Sequence, residues 1–177
     1  MQKENMKRNL SVALLSLAAT VVFSFIAAWI PGGERLLLIQ IPVLFCGLLA
    51  GAPYGAVIGL LTPFLLLLIT GTPSFYPDAI AMALEYFLFG VVASPIFRSF
   101  ARSAESLYAG LGAAMLVGRL GYMAAMYIMI ELQHIDFSVK PLLRSELLHV
   151  WPGILLQLIV VPLLTLAANS FGLLDDE

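Results

Sequence analysis

Two side chains of opposite charge, Glu85 and Arg119, each stand inside a long apolar run, and they are the best-placed chemical groups in this 177-residue chain. A charge at membrane depth costs a few kcal/mol unless it is paired or faces water, so each needs a partner. Three readings stay open: a structural Glu85–Arg119 pair joining neighbouring helices, a ligand set for a polar substrate in a water-accessible cavity, and a proton relay. Gln40, His149, Trp151 and Gln157 are the other polar handles, and Tyr76 lies in the connecting segment Ser74-Phe75-Tyr76. Aromatic walls with a few polar groups suit a small-molecule pocket. Taken singly, Trp151 also suits an interfacial anchor and His149 a capping or interfacial histidine.

Metal and enzyme chemistry find less support. Glu146 and His149 spell Glu-x-x-His, which ligates a di-iron centre in a bundle only beside a second copy and further carboxylates, and no second copy occurs. His134 with Asp136 is too small a set for a metal site. The single Cys46 forms neither an internal disulfide nor a zinc site and reads as packing. There is no His-Glu-x-x-His, no Gly-x-Ser-x-Gly and no phosphate-cradling loop, so we expect no enzyme and no cofactor. A formal net charge of −2 with nine scattered Lys and Arg leaves no basic field for nucleic acid.

The elements that must position these groups follow from composition. The chain is 61% hydrophobic and 11% charged, against about 25% charged in ordinary soluble domains, and its mean hydropathy is +0.99. That points to an all-α integral membrane protein, one transmembrane domain over residues 1–177. At about 20 apolar residues per crossing, six helices are expected, near 10–30, 36–50, 54–70, 78–97, 107–130 and 146–171. The first is too long for the h-region of a cleavable signal peptide and ends at Trp29 before Pro31-Gly32-Gly33, so it reads as a retained helix. The uncharged stretch from Leu36 to Ile69 would reach roughly 50 Å as one helix, and Gly51-Ala52-Pro53-Tyr54-Gly55 supplies the break. Lys3, Lys7, Arg8, Arg98 and Arg102 fall on one side, and only Arg35, Lys140 and Arg144 on the other. The excess places both termini in the cytoplasm of a cell membrane crossed several times.

Small residues recur at helical spacing. Gly47, Gly51, Gly55 and Gly59 repeat every four residues across the second and third spans, Ser16, Thr20, Ser24 and Ala28 along the first, and Gly110, Ala114 and Gly118 along the fifth. Such ladders let helix backbones approach closely in lipid, whether within the chain or against another subunit. The two-half repeat of many secondary transporters is not evident.

The run Ile41-Pro42-Val43, Gly47, Gly51-Ala52-Pro53, Gly55-Ala56, Gly59, Pro63, Gly71-Thr72-Pro73, Met82-Ala83-Leu84-Glu85-Tyr86 and Gly90 resembles the substrate-binding S components of energy-coupling factor (ECF) vitamin transporters. Gly118-Arg119, Pro152-Gly153-Ile154, Leu156-Gln157 and Pro162 continue the pattern, so the resemblance covers nearly the whole chain, by order and spacing rather than by one motif. It implies a bacterial-type six-helix subunit that captures a water-soluble vitamin outside the cell. It also implies partners, namely a membrane coupling subunit and two cytoplasmic ATPases, with docking through the first three helices. The Gly47 to Gly59 ladder, with Ser16, Thr20 and Ser24, would serve that docking. The family's Ala-x-x-x-Ala motif in the first helix has no strict match, since Ala13 is followed four residues later by Leu17. No histidine stands near the amino terminus, which argues against the nickel and cobalt branch.

The substrate set expected here is Gln40, Tyr76, Glu85, Arg119, His149, Trp151 and Gln157. A buried Arg favours a carboxylate, which puts pantothenate slightly ahead of pyridoxine or hydroxymethylpyrimidine. The alternatives are a non-transport scaffold or assembly protein with a structural Glu85–Arg119 pair, and a small lipid-modifying enzyme with catalytic groups converging at one interface.

Overall fold

Gln2, Lys3, Met6, Lys7 and Arg8 are good helix formers, so the first apolar run extends backwards through the charged residues as one helix, α1 (Gln2–Trp29). In the computed structural model, which describes residues 2–99, 103–132 and 151–170, every regular element is helical and no strand occurs among the described residues. After α1 come α2 (Gln40–Ala50), α3 (Ala52–Thr70), α4 (Ile80–Ser99), α5 (Ala104–Glu131) and α6 (Trp151–Ser170). Among the described residues, five stretches are long and apolar enough to cross a membrane: Asn5–Trp29, Ala52–Thr70, Phe75–Ser99, Ala104–Glu131 and Trp151–Ala168. They are compatible with a membrane protein. The expected connection over 131–145 leaves the described residues after Leu132, and so do the first residues of the expected sixth helix.

The second span differs from the expectation of a helix over 36–50. Gly32 takes a left-handed backbone (φ 74°), residues Gly33–Leu36 make a single tight 3-10 turn, and Leu37 is left-handed as well (φ 51°), so α2 starts only at Gln40. The turn comes so close to α1 that a Cβ on Gly33 would meet the Ala27 carbonyl. Eleven residues rise only about 16 Å, roughly half of a hydrocarbon core. Of α2, all but Phe45 is buried, so it is a central strut enclosed by the longer helices. Non-helical backbone at membrane depth is tolerated where protein covers it, and the segment before α2 packs against α1 and α6.

Glycines set the spacing around that strut. Gly51 (φ 96°) separates α2 from α3 and donates its N–H to the Gly47 carbonyl at 3.1 Å. A Cβ on Gly55 would stand 2.5 Å from the Gly47 Cα and 3.0 Å from the Gly90 Cα, and one on Gly59 would strike the Tyr86 backbone. Thus α2, α3 and α4 meet backbone to backbone. α4 also packs extensively on α5, where Gly110 faces the Ala93 carbonyl and Gly118 faces Phe89. The core, built on Ile41, Leu44, Leu48, Phe89, Phe97, Leu107 and Leu111, lies along α2, α4 and α5.

Ser103 caps α5 by accepting the Ser106 N–H at 3.2 Å, and the Ser106 hydroxyl lies 2.8 Å from the Ser103 carbonyl oxygen and 3.2 Å from that of Phe97, which links the start of α5 to the end of α4. Such a cap stabilises by about 1 kcal/mol. At the other end, Gly71 (φ 73°) stops α3 and a wide turn, Phe75–Ala79, leads into α4.

Candidate functional site

Four helices bring four polar side chains into one buried cluster. Gln40 is the first residue of α2, Glu85 lies about a turn and a half into α4, Arg119 is central in α5, and Gln157 lies nearly two turns into α6. Arg119 Nη1 lies 3.2 Å from Glu85 Oε1, with side-chain exposures of 12% and 2%. Gln40 Nε2 donates to the same Glu85 oxygen at 3.4 Å. Gln157 Nε2 donates to Gln40 Oε1 at 2.9 Å and approaches the Leu37 carbonyl oxygen at 3.3 Å.

The chain of bonds has one direction. An ionised Glu85 only accepts hydrogen bonds, so Gln40 must turn its NH2 toward Glu85 and its carbonyl toward Gln157. Gln157 must then offer its own NH2, which leaves its carbonyl oxygen facing away. That oxygen, Gln157 Oε1, is buried with no hydrogen-bond partner among the described residues. Glu85 also sits near the amino end of α2, whose dipole favours negative charge.

Local sequence explains how the two charges meet. Gly118 precedes Arg119, and a Cβ there would overlap the Phe89 ring and lie 3.2 Å from the Glu85 carbonyl oxygen. Glycine therefore lets α5 close onto α4 with Arg119 opposite Glu85. Tyr86, buried beside Glu85, stacks on Phe89 with ring centroids 5.7 Å apart. Arg98 marks the opposite end of the same helices by donating from Nη2 to the Leu49 carbonyl at 3.4 Å. Counting back at 1.5 Å per residue, the cluster lies roughly 14–20 Å from that end, well inside the apolar zone.

The other expected site residues are placed differently. The Tyr76 hydroxyl donates to the Met129 carbonyl at 2.8 Å, which fastens the turn before α4 to the end of α5 rather than to the cluster. Trp151 is exposed at the start of α6, and the exposed Trp29 ends α1, placements that suit interfacial anchors. His149 lies outside the described residues. Ser16 and Thr20 are buried and Ser24 half-buried, so the small face of α1 turns toward its own bundle. Gly47, Gly55 and Gly59 likewise face Gly90 and Tyr86 of this chain, and Gly51 faces the Arg98 guanidinium. The Leu37 carbonyl and the buried Tyr86 are members of the site that sequence reasoning missed. A backbone oxygen carries no residue-type signal, whereas the Glu85-Tyr86 pair was visible.

No group of three or more His, Cys, Asp or Glu that could hold a metal occurs among the described residues. Chemically, the cluster can present a carboxylate, a guanidinium and two amides to a small polar molecule. Compared with protein-family profiles, with curated proteins and with solved structures, the chain matches none.

Proposed function

We propose that this protein is the substrate-binding S component of an ECF-type transporter in a bacterial-type cell membrane. In this role it captures a water-soluble vitamin or precursor for uptake driven by a membrane coupling subunit and two cytoplasmic ATPases. The observation that supports this reading is the cluster of Gln40, Glu85, Arg119 and Gln157, a set of opposite charges and amides enclosed by otherwise apolar helices. Arg119 suits a carboxylate, Glu85 suits hydroxyl or N–H donors, and the unpartnered Gln157 Oε1 accepts one more hydrogen bond. Pantothenate, which carries a carboxylate, hydroxyls and an amide, comes first among the ligands, with pyridoxine and hydroxymethylpyrimidine next.

The test is a thermal-shift screen of the detergent-purified protein across water-soluble vitamins, without ATP. A ligand at a hundredfold excess over its Kd stabilises by about 2.7 kcal/mol, roughly 5–10 °C in a chain of this size. One vitamin should do so. Failure of every vitamin to raise the melting temperature overturns the reading.

The closure of Glu85 on Arg119 within the chain favours a second reading, a non-transport scaffold in which the pair only joins helices. There the pair is replaceable by uncharged residues with no loss of uptake.

A further inference from the structure

The polar cluster has no room for a whole vitamin. Gln40, Glu85 and Gln157 are buried and bonded to one another, so most of a ligand must lie beside them rather than among them. A cavity of ≈ 650 Å³ adjoins them, within the usual size range of small-molecule sites. Its wall includes Ile39, the residue before Gln40, and Met82, which stands three residues before Glu85 and so on the same side of α4. From there it extends to Thr70 and Thr72, toward the end of the bundle remote from Arg98, and its rim includes the exposed Ala28 and Ile69.

Among the described residues the lining carries no charge, but it is not wholly apolar. A hydroxyl has one proton to donate and two acceptor positions. Ser24 Oγ donates to the Val21 carbonyl at 2.9 Å. With the Thr70 proton on the Leu66 carbonyl at 2.8 Å, the Thr72 hydroxyl, 3.1 Å away, donates to Thr70. The protons are then spent, whereas Ser24 and Thr72 keep acceptor positions. The cavity thus combines apolar walls, such as Leu66 and Met82, with hydroxyl acceptors, and an uncharged group bearing O–H or N–H donors complements both. Met82 is half-buried, and its unbranched, flexible side chain is the movable part of the wall toward Glu85, itself an acceptor when ionised.

We propose that this cavity holds the uncharged body of the vitamin, a compact group of methyl or ring carbons with hydroxyl or N–H donors, while the remaining polar group reaches the cluster past Ile39 and Met82. This rests on the S-component reading and narrows its substrate class: a molecule charged at both ends does not fit. The test uses the vitamin that stabilises the natural chain, with pantothenate, pyridoxine and hydroxymethylpyrimidine tried first. Because Cys46 is fully buried, the natural chain serves as the unreactive background for maleimide labelling in detergent. At saturating vitamin, labelling of Ala28→Cys should slow several-fold, and that of Glu131→Cys, at the exposed end of α5, should not change. Ala28→Phe, which fills the cavity from its exposed rim, should weaken binding about tenfold without lowering the melting temperature of the free protein. Thr72→Val should weaken it several-fold and Thr72→Ser should restore it. A vitamin that stabilises the protein yet leaves Ala28→Cys labelling unslowed, or binds Ala28→Phe with unchanged affinity, overturns this inference and leaves the transport reading standing. Equal slowing at Glu131→Cys also overturns it, since the whole end of the bundle would then be closing. If no vitamin stabilises the natural chain, the transport reading falls and this inference falls with it.

Discussion

Glu85 Oε1 receives both Arg119 and Gln40, so a single oxygen holds three helices together. Removing the charge on one partner leaves the other buried and uncompensated, at a cost of about 3 kcal/mol or more. Glu85→Gln and Arg119→Met should therefore each lower the melting temperature in detergent, whereas the double variant should recover most of the loss, because uncharged groups need no counterion. The double variant also separates the two functional readings: in a vitamin-binding subunit it keeps its stability but loses the ligand-induced thermal shift, and in a scaffold nothing further is lost. At this scale much was legible beforehand. Glu85, Arg119, Gln40 and Gln157 stand out as polar residues in apolar runs, and low charge content makes such residues conspicuous. Tyr76 and Trp151 resemble them in side-chain type, but type does not reveal that one bonds the Met129 carbonyl and the other lies exposed.

Among the elements, α2, α3 and α4 meet backbone to backbone at Gly47, Gly55 and Gly90. Gly55→Ala adds a methyl group at 2.5 Å from the Gly47 Cα and should destabilise by about 1–3 kcal/mol through overpacking. Gly112→Ala provides the contrast: a Cβ there meets nothing within 4 Å on an exposed face of α5, so better helix propensity should stabilise by up to about 1 kcal/mol. Thermal unfolding of both variants checks the pair. The glycine spacing was visible in the sequence, as was the break at Gly51, but the spacing alone does not distinguish a contact within the chain from one between chains. The early start of α1 and the late start of α2 were not legible. Charged helix formers continue a helix without an apolar signature, and a run of Leu36 to Ile39 looks equally apolar in either conformation.

Across the described residues, α2 reaches only partway, and α1, α3, α4 and α6 pack around it, so the start of α2 is an interior point where distant parts of the chain meet. Leu37 is the clearest case. Its left-handed backbone, unfavourable for a branched side chain by on the order of 1 kcal/mol, has its carbonyl bonded by the Gln40 N–H at 3.0 Å and approached by Gln157 Nε2 at 3.3 Å. The strain at residue 37 and the amide at residue 157 should then be thermodynamically coupled. Leu37→Gly removes the steric demand, so Gln157→Leu should cost less in that background than in the natural chain. A double-mutant cycle measures the difference, expected at about 0.5 kcal/mol or more for groups in one hydrogen-bond network; strictly additive losses would show that the bond does not restrain the backbone. A residue whose own preference is right-handed helix thus stands in a left-handed backbone whose carbonyl is met from the far end of the sequence, so that α6 contributes to fixing the entry to α2.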